Sequence, residues 1–288
     1  MDLVIQLLLN GIVNGSHYAL LGLGFGLIFA TTRIVHFAFG SIFTFGAYVA
    51  WFVSGYMGAP IFLGLAAGVV VAMGLGVASY VGLYQPLERR GVSPLIPLIA
   101  SLGLTIVLEN LVGIIFGTGA RTIDVETSIH FLGPAFFTSI HVWQVVSFLL
   151  VCVLLYLFVN YTRYGKAIMA MTDDPEMARV IGIDTARVSI LVFALGSALS
   201  AIAALLVTLK DGASTHMGFT AVFMGFVAVI VGGVGSLRGA IAGGFLLGLV
   251  ESLGLWKIST EWQSSIAFIV LFLMILLRPH GLFSLARR

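Results

Sequence analysis

The chain has 288 residues, of which 60% are hydrophobic and 9% are charged, and its formal net charge is +2 at pH 7. Soluble domains average about 25% charged residues, so this composition excludes an ordinary soluble globular protein. The sequence contains no basic block and no alternation of basic with aromatic residues. It therefore gives no indication of a nucleic-acid partner.

Hydrophobic runs separated by polar breaks predict an all-α, polytopic membrane helix bundle, which we treat as one transmembrane domain over residues 1–288. A helix needs about 20 apolar residues to cross a bilayer. The nine predicted spans, in chain order, are 3–29, 37–57, 61–84, 94–117, 142–160, 188–208, 218–234, 238–255 and 262–278. The first span lacks a basic leader and is too long for a signal-peptide core, so we predict that it is retained.

The distribution of basic residues predicts the orientation, because lysine and arginine accumulate in cytoplasmic loops. With nine crossings and a cytoplasmic C-terminus, only Arg121, Lys210 and Lys257 of the 14 basic residues lie outside. The cytoplasmic set includes Arg287 and Arg288. Omitting the short, glycine-interrupted span 218–234 would reverse every earlier loop and leave most basic residues outside. Nine spans and an external N-terminus are therefore predicted.

Glycine supplies 35 of the 288 residues, a share well above the ~7% that is usual in a protein chain. Many of these glycines fall within spans at four-residue intervals, where they allow two helix backbones to approach closely. The pairs are Gly22 with Gly26 and Gly64 with Gly68. Late in the chain, the predicted packing residues are Gly232, Gly233, Gly235, Gly239 and Gly243.

The most polar stretch is 163–187, which carries four basic and four acidic side chains. Asp173 or Asp174 can cap a helix there, Pro175 suits its first position, and Gly182 can end it in a left-handed conformation. The predicted surface helix has about two turns. Its apolar face consists of Met177, Val180 and Ile181. Such a face could bind a soluble protein or lie on lipid headgroups, and the pattern leaves both open.

Residues of this loop and of the next span form a recognisable pattern, namely Gly165, Lys166, Ala167, Asp173, Asp174, Glu176, Ala178, Gly182, Ile183, Asp184, Phe193 and the small-residue run 196–204. Three other stretches agree in order: 10–11 with 18–20, 37–38 and Gly40 with 46–48, and 232–236 with 239–240. Together they resemble LivH-type permeases, which are membrane subunits of ATP-driven importers of branched-chain amino acids. The resemblance covers nearly the whole chain.

The resemblance implies a set of partners in a bacterial inner membrane. These are a second, homologous permease of the LivM type, two cytoplasmic ATPases that use ATP and Mg²⁺, and an external solute-binding protein, with membrane lipid around the bundle. It also assigns 163–187 as the cytoplasmic coupling loop. The residues implied to contact an ATPase subunit are Gly165, Lys166, Asp173, Asp174, Glu176, Met177, Ala178, Val180, Ile181 and Gly182.

The chain itself has no site for ATP, metal or catalysis that the sequence reveals. A phosphate-binding loop needs a glycine where Asn160 stands and a serine or threonine where Ala167 stands. The six histidines are scattered, without metal-ligand spacing. We therefore predict a transporter subunit that binds no cofactor and depends on another chain for energy.

Polar and ionisable residues within spans indicate the solute path, because an acid or base at a helix centre costs about 2.5–3.5 kcal/mol unless it faces protein or water. The predicted path residues are His17, Tyr18, His36, Phe37, Phe39, Glu109 and Asn110. The family usually has Asn-Phe-Ala-His-Gly where this chain has residues 36–40. A bulkier and less polar lining is expected from that departure.

Other cargoes and another mechanism remain open at this stage. Permeases for urea and short-chain amides share most of the same pattern. A self-sufficient, ion-coupled secondary transporter would need helices broken near mid-membrane and charged coupling sites. Glu109 is one such candidate, but the sequence shows no basic partner for it within a span.

Overall fold

The computed structural model describes residues 2–132, 135–257, 259, 262–278 and 281–283. Arg287 and Arg288, which entered the charge distribution, lie outside these residues. The described helices are α1 (Asp2–Thr32), α2 (Ala38–Trp51), α3 (Ile61–Ser79), α4 (Gln85–Arg89), α5 (Leu95–Phe116), α6 (Ser139–Tyr161), α7 (Arg163–Asp173), α8 (Pro175–Val180), α9 (Thr185–Asp211), α10 (Met217–Gly232), α11 (Leu237–Gly254) and α12 (Gln263–Leu277).

Two π-helical turns and one hairpin complete the described structure. The turn Phe52–Tyr56 continues α2, and the turn Tyr80–Tyr84 joins α3 to α4. Strands β1 (Ile129–Leu132) and β2 (Ala135–Thr138) pair antiparallel between α5 and α6. The hairpin was not predicted, because its eight residues lie in a stretch between two spans that shows no long apolar run.

Within the residues that the structure describes, seven segments are long and apolar enough to cross a membrane, which confirms a membrane helix bundle. They are Leu3–Thr32, Ala38–Tyr56, Ile61–Arg89, Leu95–Phe116, Ser139–Tyr161, Thr185–Asp211 and Leu237–Gly254. The shorter apolar helices Met217–Gly232 and Ser265–Leu277 coincide with the other two predicted spans. The 16 residues of α10 cover about 24 Å, less than the ~30 Å hydrocarbon layer. The number of crossings and the orientation stay predictions.

Contacts divide the chain into two compact units. Unit 1 comprises Met1–Gly26, Val125–Cys152 and Phe223–Arg288, and unit 2 comprises Leu27–Asp124 and Val153–Val222. The assignment of residues 1–288 to a single transmembrane domain stays a prediction.

In unit 1, glycines bring α1, as far as Gly26, against the two helices α10 and α11. A Cβ atom added at Gly248 would collide with the backbone of Gly15, and one added at Gly22 would lie 3.1 Å from the Cβ of Ala228. Gly26 is similarly close to α10, because an added Cβ would lie 3.0 Å from the side chain of Val229, which would have to shift. Residues this small permit the close approach that stabilises helix pairs in lipid.

The late glycines serve two purposes rather than one. Gly232 of α10 meets the backbone of Gly239 in α11, and Gly243 meets the carbonyl of Ala228, so these three glycines pack helices as predicted. Gly233 and Gly235 instead lie in the connection between the helices, with φ of +111° and +89°. An added Cβ at Gly235 would meet nothing within 4 Å, so the packing prediction is wrong for this residue.

In unit 2, α2 is almost entirely buried and packs against α3, α5 and α9. The buried face of α3 carries one small residue per turn: Gly64, Gly68, Ala72 and Gly76. A Cβ added at Gly68 would lie 2.7 Å from the carbonyl oxygen of Gly46 in α2, and one at Gly76 would lie 2.7 Å from that of Phe193 in α9. These contacts leave no space for a methyl group between the three backbones.

This packing predicts the effect of a methyl group in α3. We expect Gly68→Ala to lower the free energy of unfolding by about 1–3 kcal/mol, because backbone atoms must move to admit it. Thermal unfolding of the purified chain in detergent measures the change. Gly74→Ala is the control on the same helix, because an added Cβ there meets nothing within 4 Å. Equal unfolding midpoints for the two variants would contradict this packing.

Candidate functional site

The predicted coupling loop folds into two helices, α7 and α8, each with its own cap. The Thr162 hydroxyl accepts a hydrogen bond from the Gly165 amide at the start of α7, at 2.9 Å. At the start of α8, Asp174 Oδ1 accepts from the amides of Glu176 and Met177, both at 3.0 Å. Of the two predicted caps, Asp174 is therefore the one used. Pro175 takes the first helical position and Gly182 follows with φ of +90°, so the predicted local structure is confirmed.

Helix α8, which we call the docking helix (Pro175–Val180), exposes its apolar residues. Met177 is 57% exposed, Val180 is 80% exposed, and the adjoining Ile181 is 65% exposed, whereas Ala178 is buried. Glu176 and Arg179 are exposed beside them. A short helix with an uncovered apolar patch and charged neighbours can bind a protein surface.

Helix α7 anchors the docking helix to the bundle of unit 2. Its buried residues are Gly165, Ile168 and Met171, and a Cβ at Gly165 would collide with the backbone of Phe158 and Val159 in α6. Lys166 is exposed, as is Asp173 at the last position of α7. The predicted coupling residues thus form one continuous segment, with a buried side on α7 and an exposed end on α8.

Arg33, which no sequence pattern singled out, contacts the end of α7. Its Nη2 donates a hydrogen bond to the carbonyl oxygen of Thr172 at 3.0 Å. Among the described residues it alone has a positive φ without being glycine, at +60°. That left-handed conformation costs a residue with a Cβ about 1–2 kcal/mol. An arginine in this conformation has no local sequence signal, because only the folded backbone imposes it.

His36 lies in the linker between α1 and α2, inside a group of rings that we call the aromatic cluster: His36, Tyr80, Tyr84 and Phe193. His36 Nδ1 and the Tyr84 hydroxyl are 2.8 Å apart, and the His36 and Phe193 ring centroids are 5.0 Å apart. The π-helical turn Tyr80–Tyr84 directs both tyrosines to the same side. Complete burial lowers the pKa of His36 to about 3, so its imidazole is neutral at cellular pH.

The neighbours of His36 in the predicted path are tied to other helices of unit 2. The amide of Phe37 donates to Ser101 Oγ of α5 at 2.6 Å. The Phe39 side chain is fully buried, and its carbonyl oxygen accepts from Ser200 Oγ of α9 at 3.4 Å. A solute can touch His36 or Phe39 only when these helices separate.

Glu109 and Asn110 lie on α5, on a more open part of unit 2. The Glu109 carboxylate is hydrogen-bonded to His216 Nδ1, and the His216 side chain is 85% exposed. Asn110 is exposed, and its amide donates to the Ile106 carbonyl at 2.7 Å. The sequence shows no basic residue within a span that could pair with Glu109. His216 was missed because it precedes α10 rather than lying within a predicted span.

The remaining predicted path residues, His17 and Tyr18, belong to unit 1. Both lie on α1, where the side chain of His17 is 8% exposed and the two ring centroids are 6.0 Å apart. The structure therefore brings His36, Phe37 and Phe39 together in one buried region of unit 2. It places Glu109 with Asn110 on a second face of that unit.

Comparison with known proteins identifies the family. A family model described as the permease component of branched-chain amino acid transport systems matches residues 7–275. The chain is 30% identical to BraD, a high-affinity branched-chain amino acid transport system permease protein of Pseudomonas aeruginosa, over 96% of this chain and 95% of BraD. It is 31% identical to LivH of Escherichia coli K12, over 96% of this chain and 94% of LivH.

A solved structure has the same fold. PsaBC from Streptococcus pneumoniae, in complex with Fab, superposes with a TM-score of 0.54 and covers 94% of this chain and 91% of its own. At 16% identity this likeness concerns the fold alone.

These findings confirm several predictions made from the sequence. The resemblance to LivH-type permeases is correct, and so is the assignment to a multi-pass transporter subunit of the inner membrane rather than an enzyme. Membership in such a transport system implies ATPase and solute-binding subunits as partners. The match over residues 7–275 and the similarity along the full length of BraD and LivH show that the chain belongs to the family of permease components of branched-chain amino acid transport systems.

Proposed function

We propose that this chain is half of the membrane pore of an ATP-driven importer for branched-chain or related hydrophobic amino acids. Its partner in the pore is a second, homologous permease of the LivM type. Two cytoplasmic ATPases hold ATP and Mg²⁺, and an external binding protein delivers the solute. The cargo is proposed from the names of BraD and LivH, which the chain matches over nearly its whole length.

The observation that carries this proposal is the exposed docking helix. Met177, Val180 and Ile181 present apolar surface that the described residues leave largely exposed. Asp174 fixes the start of the helix through two backbone amides, so the patch has a defined shape before any partner binds. One such helix inserted into each ATPase would transmit nucleotide-driven movement to the permease. A helix lying on lipid headgroups is the competing explanation.

The solute path is proposed to follow the polar residues of α5. Glu109 and Asn110 are the polar groups of an outer half-helix whose other exposed residues include Val107, Leu111 and Ile114. A charge facing hydrocarbon is costly, so this face is expected to meet water or the second permease. The exposed apolar residues of α3 and α6 suit contact with lipid instead.

Docking of an ATPase predicts that charge at the docking helix controls assembly. We expect Asp174→Lys with Glu176→Lys to reduce co-purification of the ATPase subunits about tenfold, because the double change removes the cap and reverses the rim charge. Retention of tagged ATPase on the membrane complex measures this.

The matched control for this variant is Asp124→Lys with Glu126→Lys. These two exposed acids have the same spacing but lie between α5 and the hairpin. ATPase retention should be unchanged in the control. Full retention in the docking variant would support the lipid-surface explanation.

The energy source and cargo are tested with the complete transporter in proteoliposomes. We expect leucine uptake to stop when ATP is depleted and to continue when ion gradients are collapsed. The binding protein is expected to retain radiolabelled leucine, and excess isoleucine is expected to displace it. Retention of urea or a short amide instead would assign the alternative cargo. Uptake by this chain alone, driven by an ion gradient, would contradict the proposal and favour a secondary transporter.

A polar path along α5 predicts a role for its carboxylate in transport. We expect Glu109→Gln to lower leucine uptake about tenfold, equivalent to about 1.4 kcal/mol, with ATPase retention unchanged. His216→Gln should have a similar effect, and the double variant should lose little more, because both changes disrupt the same hydrogen bond. Asp124→Asn is the control. Additive losses for Glu109 and His216 would contradict a shared role.

A further inference from the structure

Arg33 connects the coupling loop to the linker that carries His36. Its guanidinium bonds the Thr172 carbonyl, which lies two residues before the cap Asp174. The hydroxyls of Thr31 and Thr172 are also 3.4 Å apart. The carbonyls at a helix C-terminus carry partial negative charge, so a cation is well placed at the end of α7. Contacts from the end of α1 therefore hold the chain just before the docking helix begins.

The linker that Arg33 begins is short and held at both ends. Residues 33–37 join α1 to α2. The Arg33 amide donates to the Phe29 carbonyl at 2.9 Å, and the amides of Phe37 and Ala38 both donate to Ser101 Oγ. Between these fixed ends, His36 enters the aromatic cluster. Only Ile34 and Val35 separate Arg33 from His36, so a displacement of Arg33 is expected to displace His36.

A second polar contact reaches the same cluster from α4. The Tyr80 hydroxyl donates a hydrogen bond to Glu88 Oε2 at 2.8 Å, and the Tyr80 and Phe193 ring centroids are 5.1 Å apart. The aromatic cluster is therefore restrained from α4 as well as from the linker.

The left-handed backbone conformation of Arg33 indicates a functional role for its side chain. Glycine would adopt φ of +60° without strain, and an exposed loop position ordinarily accepts it. Strained residues persist where their surroundings hold them, and they concentrate at functional and switching sites. Here the strained backbone aims an exposed guanidinium at the last turn of α7.

We propose that Arg33 is a positioning residue that transmits movement of the docking helix to the aromatic cluster, and so couples ATP hydrolysis to opening of the path. The inference rests on the proposed docking of an ATPase on α8. The Arg33 contact moves with Thr172 when α8 moves, and the linker carries that movement to His36. The Tyr80–Glu88 contact restrains the same cluster from α4. Repacking of the cluster then changes how α2, α3 and α9 meet.

The experiment measures solute transported per ATP hydrolysed by the complete transporter in proteoliposomes. Arg33→Gly removes the guanidinium and also relieves the backbone strain, so the variant is expected to fold at least as stably as the parent. We expect it to retain ATPase activity within about twofold and to lose transport per ATP about tenfold, a coupling change of ordinary size. Arg33→Lys should restore part of the loss, because it returns a cation to the end of α7.

Two further variants separate coupling from folding. Arg90→Gly is the control, since Arg90 is an exposed arginine in the loop after α4, and it should leave transport per ATP unchanged. Tyr80→Phe keeps the ring but removes the hydroxyl that bonds Glu88. Combined with Arg33→Gly, it should lower transport per ATP below either single variant.

Several outcomes would overturn the inference. Unchanged transport per ATP in Arg33→Gly would do so, as would an equal loss in Arg90→Gly. Loss of the ATPase subunits from the Arg33→Gly complex would also do so, because Arg33 would then act on docking itself. If reversing charge at Asp174 and Glu176 leaves ATPase retention intact, the docking proposal fails. If that change releases the ATPases while Arg33→Gly stays coupled, only the role of Arg33 fails.

Discussion

Contact between helix backbones is the constraint on which unit 2 depends. In hydrocarbon, apolar side chains gain little by leaving lipid for protein, so helices associate through close packing and polar contacts. Gly46, Gly68 and Gly76 supply that closeness, and an added Cβ at each would meet main-chain atoms or short side chains of the neighbouring helix. Because α2 is held on several sides, the linker that precedes it has little freedom. The buried position of His36 follows from this restraint.

The helices of the coupling loop are stabilised differently from the transmembrane helices. Helices α7 and α8 are short, so their ends are stabilised locally, by Thr162 and Asp174, rather than by length. Their apolar residues divide between a buried side on α7 and an uncovered side on α8. A rigid, independently capped element can transmit force without unwinding. In the proposed mechanism, its attachment through α7 and Arg33 determines where force from an ATPase is delivered.

Features with a local cause could be predicted from the sequence, and those caused by the fold could not. The apolar runs located all nine long or intermediate apolar helices, and the residues from Asp174 to Gly182 defined the docking helix, because propensity and caps act over a few residues. The hydrogen bond of Glu109 with His216 joins residues about a hundred positions apart, and the φ of Arg33 depends on its surroundings. Gly235 shows the opposite error, in which four-residue spacing continued beyond the end of a helix.

The π-helical turn Tyr80–Tyr84 sets the rotational phase of everything that follows it on the same span. A π turn holds one residue more than an α turn, and each helical residue rotates the chain by about 100°. Deleting a single residue there would turn Gln85–Arg89 around the helix axis and carry the Glu88 carboxylate away from Tyr80. The extra residue therefore fixes the rotational position of Glu88 relative to Tyr80. The length of this span is consequently constrained more tightly than membrane thickness alone requires.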